Sequence, residues 1–187
     1  MINLDTGISE EACPLDLAPT TSTTAALALG DAIAVALLEA KNFGSEDFAK
    51  SHPGGKLGKR LIITVEDLMA KGDELPLVSK KNTLSETLIE ISSKGLGVAL
   101  VVDKKKLIGI FTDGDLRRTL NNEKNPLEKK ISTFMTSKTK TILAHSLAID
   151  ALDIMQANKI YSLAVLDKNE VLVGIIRMHD LIESGMI

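Results

Sequence analysis

A stretch written twice constrains this chain more than any other feature. Leu107–Arg118 reads LIGIFTDGDLRR, and Leu172–Leu181 reads LVGIIRMHDL. Gly109 pairs with Gly174, and Asp115 with Asp180, at one spacing of 65 residues. Upstream, VALVVD at Val98–Asp103 answers SLAVLD at Ser162–Asp167, Leu84–Ile91 answers Leu147–Ile154, and Met69 answers Met135. A whole supersecondary unit is duplicated, and units repeated in this way bury one continuous face against each other.

Each copy reads as β-α-β-β-α. In the first, Val65–Met69 forms a lead turn and Pro76–Val78 a short extended piece. Thr83 caps a helix, with Glu86 completing a capping box, and Gly95 ends it. The runs Gly97–Asp103 and Leu107–Phe111 make a hairpin, and a short helix follows Thr112. In the second copy, Ile131–Met135 leads, Thr141–Leu143 is extended and Leu147–Ala157 is helical, with Asn158 as its stop. Strands Ser162–Asp167 and Leu172–Ile176 follow, with a helix from Met178. Asn121–Pro126 is a polar linker. The expected domains are 1–60, 61–125 and 126–187, in an α/β (α+β) fold.

The first sixty residues differ in kind. TTAALALGDAIAVALLEA at Thr23–Ala40 is apolar on nearly every face, so this helix calls for protein on all sides. With Asp31 near its middle and Glu39 near its end, it reads as a buried helix of a soluble domain, not as a membrane span. Ser22 or Thr23 is placed to cap it. Glu46–Lys50 forms a second short helix. His52 precedes Pro53, which holds it extended ahead of Gly54-Gly55. The segment lacks the spacing of a phosphate-binding Walker loop. Nothing in the sixty residues covers the apolar helix, so they read as the closing portion of a larger domain.

Bulk properties exclude several classes. A net charge of −3 provides no broad basic field for nucleic acid or anionic lipid. The short runs Lys104–Lys106 and Lys129–Lys130 read as solvated turns. Cys13 is the single cysteine, which fits a reducing compartment, and the expected location is the cytoplasm. His145 and His179 have no metal-ligand spacing, and neither metal nor cofactor is expected.

The tandem unit, with Gly109-Ile110-Phe111-Thr112-Asp113-Gly114-Asp115 intact in its first copy, resembles the cystathionine-β-synthase (CBS) domain pair. The resemblance implies a nucleotide in a cleft between the copies, with Thr112 on phosphate and Asp115 on the ribose hydroxyls. The chemistry suits those residues, since a hydroxyl at a helix start can hold an anion and a carboxylate accepts from adjacent O–H groups. In the second copy Arg177 replaces the threonine ahead of Asp180, supplying a cation or disabling the site.

EACPLDLAPTTSTTAALALGDAIAVALLEAKNF followed by FAKSHPGGKLGKRL resembles the end of the sugar isomerase (SIS) domain of bacterial D-arabinose-5-phosphate isomerases. Those enzymes join a Rossmann-like SIS domain to a CBS pair, and the likeness runs from Glu10 to the C-terminus. It implies interconversion of D-arabinose 5-phosphate and D-ribulose 5-phosphate, the entry to Kdo and lipopolysaccharide. Glu11 and His52 fall on the family's acid/base residues, and Thr20, Thr21, Ser22 and Thr23 lie where the sugar phosphate sits. An imidazole titrating near cellular pH suits proton transfer between adjacent carbons. The family's first half, with its phosphate loops and further catalytic groups, is missing, so the chain alone is expected to be inactive. A homo-oligomer is expected, dimeric through the CBS pair and tetrameric in the full-length family. CMP-Kdo or an adenine nucleotide is the expected cleft ligand. The alternative to an isomerase is a sensing module without catalysis, or a purely architectural pair.

Overall fold

The computed structural model describes residues 2–52, 56–104 and 106–186. The chain divides into two compact units, Met1–Ser51 and His52–Ile187.

The first unit holds α1 (Thr21–Ala40) and α2 (Ser45–Ser51). The helix at α1 forms where its composition predicts, but none of its residues is buried. Leu27, Val35 and Leu37 are more than half exposed. This exposure agrees with the reading that the first sixty residues hold no cover for the helix. Among its described residues the unit supplies no sheet and no second long helix to cover it. By length and composition alone α1 could cross a membrane. Its cap differs from expectation. Thr20 takes the N-cap position without a side-chain cap bond, and the hydroxyls of Thr23 and Thr24 donate backwards to the Thr20 carbonyl at 3.0 and 2.9 Å.

The second unit begins with α3 (Lys56–Ile62) and α4 (Val65–Leu68). The first copy continues through β1 (Ala70–Lys71), β2 (Leu77–Ser79), α5 (Leu84–Lys94), β3 (Val98–Asp103), β4 (Lys106–Thr112) and α6 (Asp113–Asn122). The second runs through β5 (Thr141–Leu143), α7 (Ala148–Asn158), β6 (Ser162–Leu166), β7 (Leu172–Arg177) and α8 (Met178–Glu183). Local rules place most boundaries. Thr83 Oγ1 accepts from the Glu86 N–H at 3.2 Å, Glu86 accepts from the Thr83 N–H at 2.8 Å, and Gly95 closes α5 at φ +68°. In α7 the left-handed closing residue is Lys159, at φ +53°, and Asn158 remains helical. The linker at 121–126 begins late, because α6 extends through Asn122.

Two sheets result, β2-β3-β4 and β1-β7-β6-β5. In each the first pairing is parallel (β2 with β3, β5 with β6) and the hairpin is antiparallel. Even the irregularity is doubled, at Val101/Val102 and at Val165/Leu166.

The copies are tied together by exchanged leads. Strand β1 comes from the first copy yet pairs with β7 of the second, Ala70 opposite Ile175 and Lys71 opposite Gly174. The reverse exchange joins Thr136 to Ile110, with N–H to O distances of 2.8 and 3.0 Å. Thr64 likewise bridges Leu147, and Lys130 bridges Thr83. The cores follow the exchange. Val65 and Met69 pack with Ala148, Leu152, Met155, Leu163 and Ile176 of the second copy, while Ile131 joins Leu84, Val101 and Phe111 of the first. A third cluster, with Leu100, Ala164 and Ile175, joins the two sheets. A fully buried side chain of this size contributes about 1.5–3 kcal/mol, so exchanging the leads couples the stability of the two copies.

Candidate functional site

Both copies end a strand and begin a helix at one cleft, of about 810 Å³. On the first copy, Thr112 ends β4 and caps α6. Its N–H and hydroxyl donate to Asp115 Oδ2 at 2.9 and 2.7 Å, and its Oγ1 accepts from the Asp115 N–H at 3.3 Å. Arg118 pairs with Asp115 Oδ1, and Thr136, brought in by the exchanged lead, donates to the same oxygen at 3.4 Å. Asp115 is therefore buried and fully partnered. It stands behind the cleft wall, whereas Thr112 lines the cleft.

The second copy repeats this arrangement with a cation. Arg177 ends β7, and its backbone N–H donates to Asp180 Oδ2 at 2.8 Å. Its guanidinium grips the same carboxylate, Nε to Oδ2 at 3.2 Å and NH2 to Oδ1 at 2.5 Å. Arg177 lines the cleft and Asp180 does not. Of the four cleft residues expected from sequence, two face the space and two hold those two in place.

Residues that the sequence did not single out supply the rest of the electrostatics. Arg117, Lys138, Lys140 and Lys159 line the cleft, and among the described residues none of them forms a salt bridge. Among the described residues the one lining carboxylate is Asp113. Its Oδ2 would lie 3.3 Å from a Cβ placed on Gly97, so it hugs the β3 entry. Lys138 and Lys140 come from the loop between the second lead and β5, and Lys159 from the turn that closes α7. Only the folded arrangement brings them together. Tyr161, 77% exposed, stands at the rim with His179, which pairs with Glu183 at 3.1 Å. Four unpaired cations around one carboxylate make a site for an anion, and the apolar and aromatic surface beside them suits a planar or hydrophobic group. His145 is exposed, away from the cleft lining. Among the described residues no three of His, Cys, Asp or Glu converge as metal ligands.

The front residues belong to different units, Glu11 to the first and His52 to the second. Glu11 Oε2 accepts from the Thr20 N–H at 2.7 Å, the Ser22 N–H at 3.2 Å and the Thr20 hydroxyl at 3.2 Å. It thus performs the cap expected of Ser22 or Thr23. The Ser22 hydroxyl first, and then the Thr20 N–H, hold its pKa down at about 2. A carboxylate so stabilised is a weak base. Thr21 starts α1, and Thr23 sits one turn in with its hydroxyl on backbone carbonyls. His52 is exposed, and the predicted turn at 53–55 lies outside the described residues.

Comparison with known proteins agrees with this architecture. The CBS domain model matches residues 63–122 and 131–186. The chain is 51% identical over 186 residues to the arabinose 5-phosphate isomerase KdsD of Pseudomonas aeruginosa, covering 99% of this chain and 57% of that protein. It is 50% identical over 182 residues to KdsD of Francisella tularensis, covering 97% of this chain and 56% of that protein. The chain thus spans little more than half the length of these relatives. Among solved structures, a CBS domain protein from Pyrobaculum aerophilum complexed with AMP superposes with a TM-score of 0.59 at 20% identity, over 64% of this chain and 90% of that one. With a doubled β-α-β-β-α unit, exchanged leads and a family match to both copies, this chain belongs to the CBS domain family and carries its domains as a tandem pair.

Proposed function

We propose that this chain works as part of an aldose–ketose isomerase acting on D-arabinose 5-phosphate and D-ribulose 5-phosphate, and that its CBS cleft is the regulatory pocket for an anionic nucleotide or nucleotide-sugar. The observation that carries the second half is the convergence of Arg117, Lys138, Lys140 and Lys159 with Thr112 and Arg177 on one cleft. Identity of about half with two isomerases favours the first half. CMP-Kdo, AMP and ATP each join an anion to a heteroaromatic ring, the combination that these cations and Tyr161 suit.

In this reading Glu11 and His52 are the acid/base pair, and Thr20, Thr21, Ser22 and Thr23 lie beside the sugar phosphate. Glu11 now holds the donors a phosphate would need. A phosphate oxygen at the start of α1 would take over the Thr20 and Ser22 N–H groups, releasing the carboxylate and raising its pKa toward a useful base. These 187 residues alone leave Glu11 as a cap and turn over no sugar. The working assembly is a homo-oligomer, placed in the cytoplasm, in the supply of Kdo for lipopolysaccharide.

The test has two arms. The 187-residue chain is assayed with arabinose 5-phosphate and then joined to the part of its relatives that it does not span. Activity is expected only in the joined protein, and lost there in His52→Ala. Full activity in His52→Ala removes that residue from the mechanism. A second reading, a sensing module without catalysis, is favoured by the commitment of Glu11 to its cap. It gains ground if the joined protein binds nucleotide but leaves the pentose phosphate unchanged.

A further inference from the structure

The C-terminal helix joins the cleft to the segment that follows His52. At one end of α8, Arg177 lines the cleft and grips Asp180 through Oδ1 and Oδ2. In its middle, the Asp180 carbonyl accepts from the Ser184 N–H at 3.1 Å. At its other end, the Ser184 carbonyl accepts from Lys59 Nζ at 2.8 Å. Lys59 lies on α3, the first element after His52, and 125 residues separate the two partners. The contact sits tightly, since a Cβ on Gly185 would lie 3.2 Å from Lys59 Nζ. Three consecutive contacts thus run from the cleft wall to α3, and every atom in them is in the second unit.

We infer that these contacts form a latch through which α3 senses an anion in the cleft. The inference rests on the cleft reading proposed above for its ligand, but the link itself does not. Arg177 can satisfy Asp180 or a ligand phosphate with its guanidinium, and not both fully. An incoming anion draws Arg177 from Asp180, leaving that carboxylate with only the backbone N–H of its cap. The first turn of α8 loosens, and with it the Ser184 carbonyl that anchors Lys59. In copy one the guanidinium on the carboxylate is that of Arg118, which also lines the cleft but stands within α6, and the capping residue there, Thr112, carries no cation. Coupling between sites is reciprocal, so freeing α3 from α8 must strengthen anion binding.

Lys59→Met is the discriminating variant. It lies outside the cleft lining and keeps its aliphatic stem. Loss of its positive charge alone would weaken anion binding, whereas the latch predicts the opposite. With the full chain and inorganic triphosphate as probe, calorimetry should show Kd falling by about fivefold in Lys59→Met and returning to the parent value in Lys59→Arg. An unchanged or higher Kd in Lys59→Met overturns the latch. If triphosphate does not bind the parent chain, the cleft reading fails separately, and amide exchange without ligand decides the link. Asp180→Asn keeps an acceptor for the cap but lacks the ion pair. It should speed exchange across Lys56–Ile62, and an unchanged rate there overturns the inference.

Discussion

Met69 lies over Gly174, although the two belong to different copies of the repeat. A Cβ on Gly174 would stand 2.9 Å from Met69 Cγ and 3.0 Å from the Ala70 carbonyl. Met135 lies over Gly109 in the same way, with a Cβ there 2.8 Å from its Sδ and 3.0 Å from the Thr136 carbonyl. Each glycine of the repeated motif is therefore the seat for the methionine of the opposite lead. Gly174→Ala should destabilise the chain by about 1–3 kcal/mol, because a backbone carbonyl cannot yield as a side chain can. Met69→Ala, which opens the space, should cost about 2–5 kcal/mol alone. Urea denaturation of the double variant should show a loss smaller than the sum of the singles, and strict additivity would mean that the two residues do not meet.

Glu11 should titrate far below an ordinary glutamate. The hydroxyl of Ser22 and the N–H of Thr20 hold its pKa at about 2, against 4.5 unperturbed. Its pKa is lower folded than unfolded, so its support of α1 is complete above about pH 4.5 and fades as pH falls toward 2. Carbon-detected NMR of the side-chain carboxyl should give a midpoint near 2. A midpoint near 4.5 would mean the cap is not held in solution.

The exposed helix should exchange early. No residue of α1 is buried, whereas Val98–Val101 and Leu163–Val165 are almost wholly enclosed. Amides of α1 should therefore exchange by local opening, orders of magnitude faster than those of β3 and β6, which wait for larger unfolding. Equal protection in the isolated chain would show that α1 has found a cover.

Much of this was legible in the sequence, and the limits have physical causes. Period and capping chemistry gave the copies element by element, down to the Thr83–Glu86 box, because those rules act over a few residues. The meaning of Gly109 and Gly174 was not legible. Spacing shows that they correspond, but not that each faces a methionine of the other copy across an exchanged strand. Nor was the direction of the Asp115 and Asp180 carboxylates legible, because their position in the motif does not fix it. Folded, each is held by its own helix cap. Lys138, Lys140 and Lys159 sit in a loop and a turn of the second copy, where lysine is ordinary, and only tertiary structure gathers them. What covers α1 was not legible, because an apolar sequence states a need for cover without naming its source.

Charge should dominate binding in the cleft. Lys138→Ala combined with Lys140→Ala should weaken ATP more than AMP, since the triphosphate has more charge for these cations to meet. Affinity of the parent chain should also fall as salt rises, because exposed cations are screened over about 8 Å at physiological ionic strength. Equal losses for both nucleotides would place the phosphates elsewhere.

The most direct test is calorimetric titration of the full chain with CMP-Kdo, AMP and ATP, beside Arg177→Met. A saturable heat is expected for at least one of the three, weakened about tenfold in the variant, as loss of one charge-assisted contact of roughly 1.4 kcal/mol implies. No heat from any of them at millimolar concentration, or binding indifferent to Arg177, would contradict the assignment of this cleft as a nucleotide-type regulatory site.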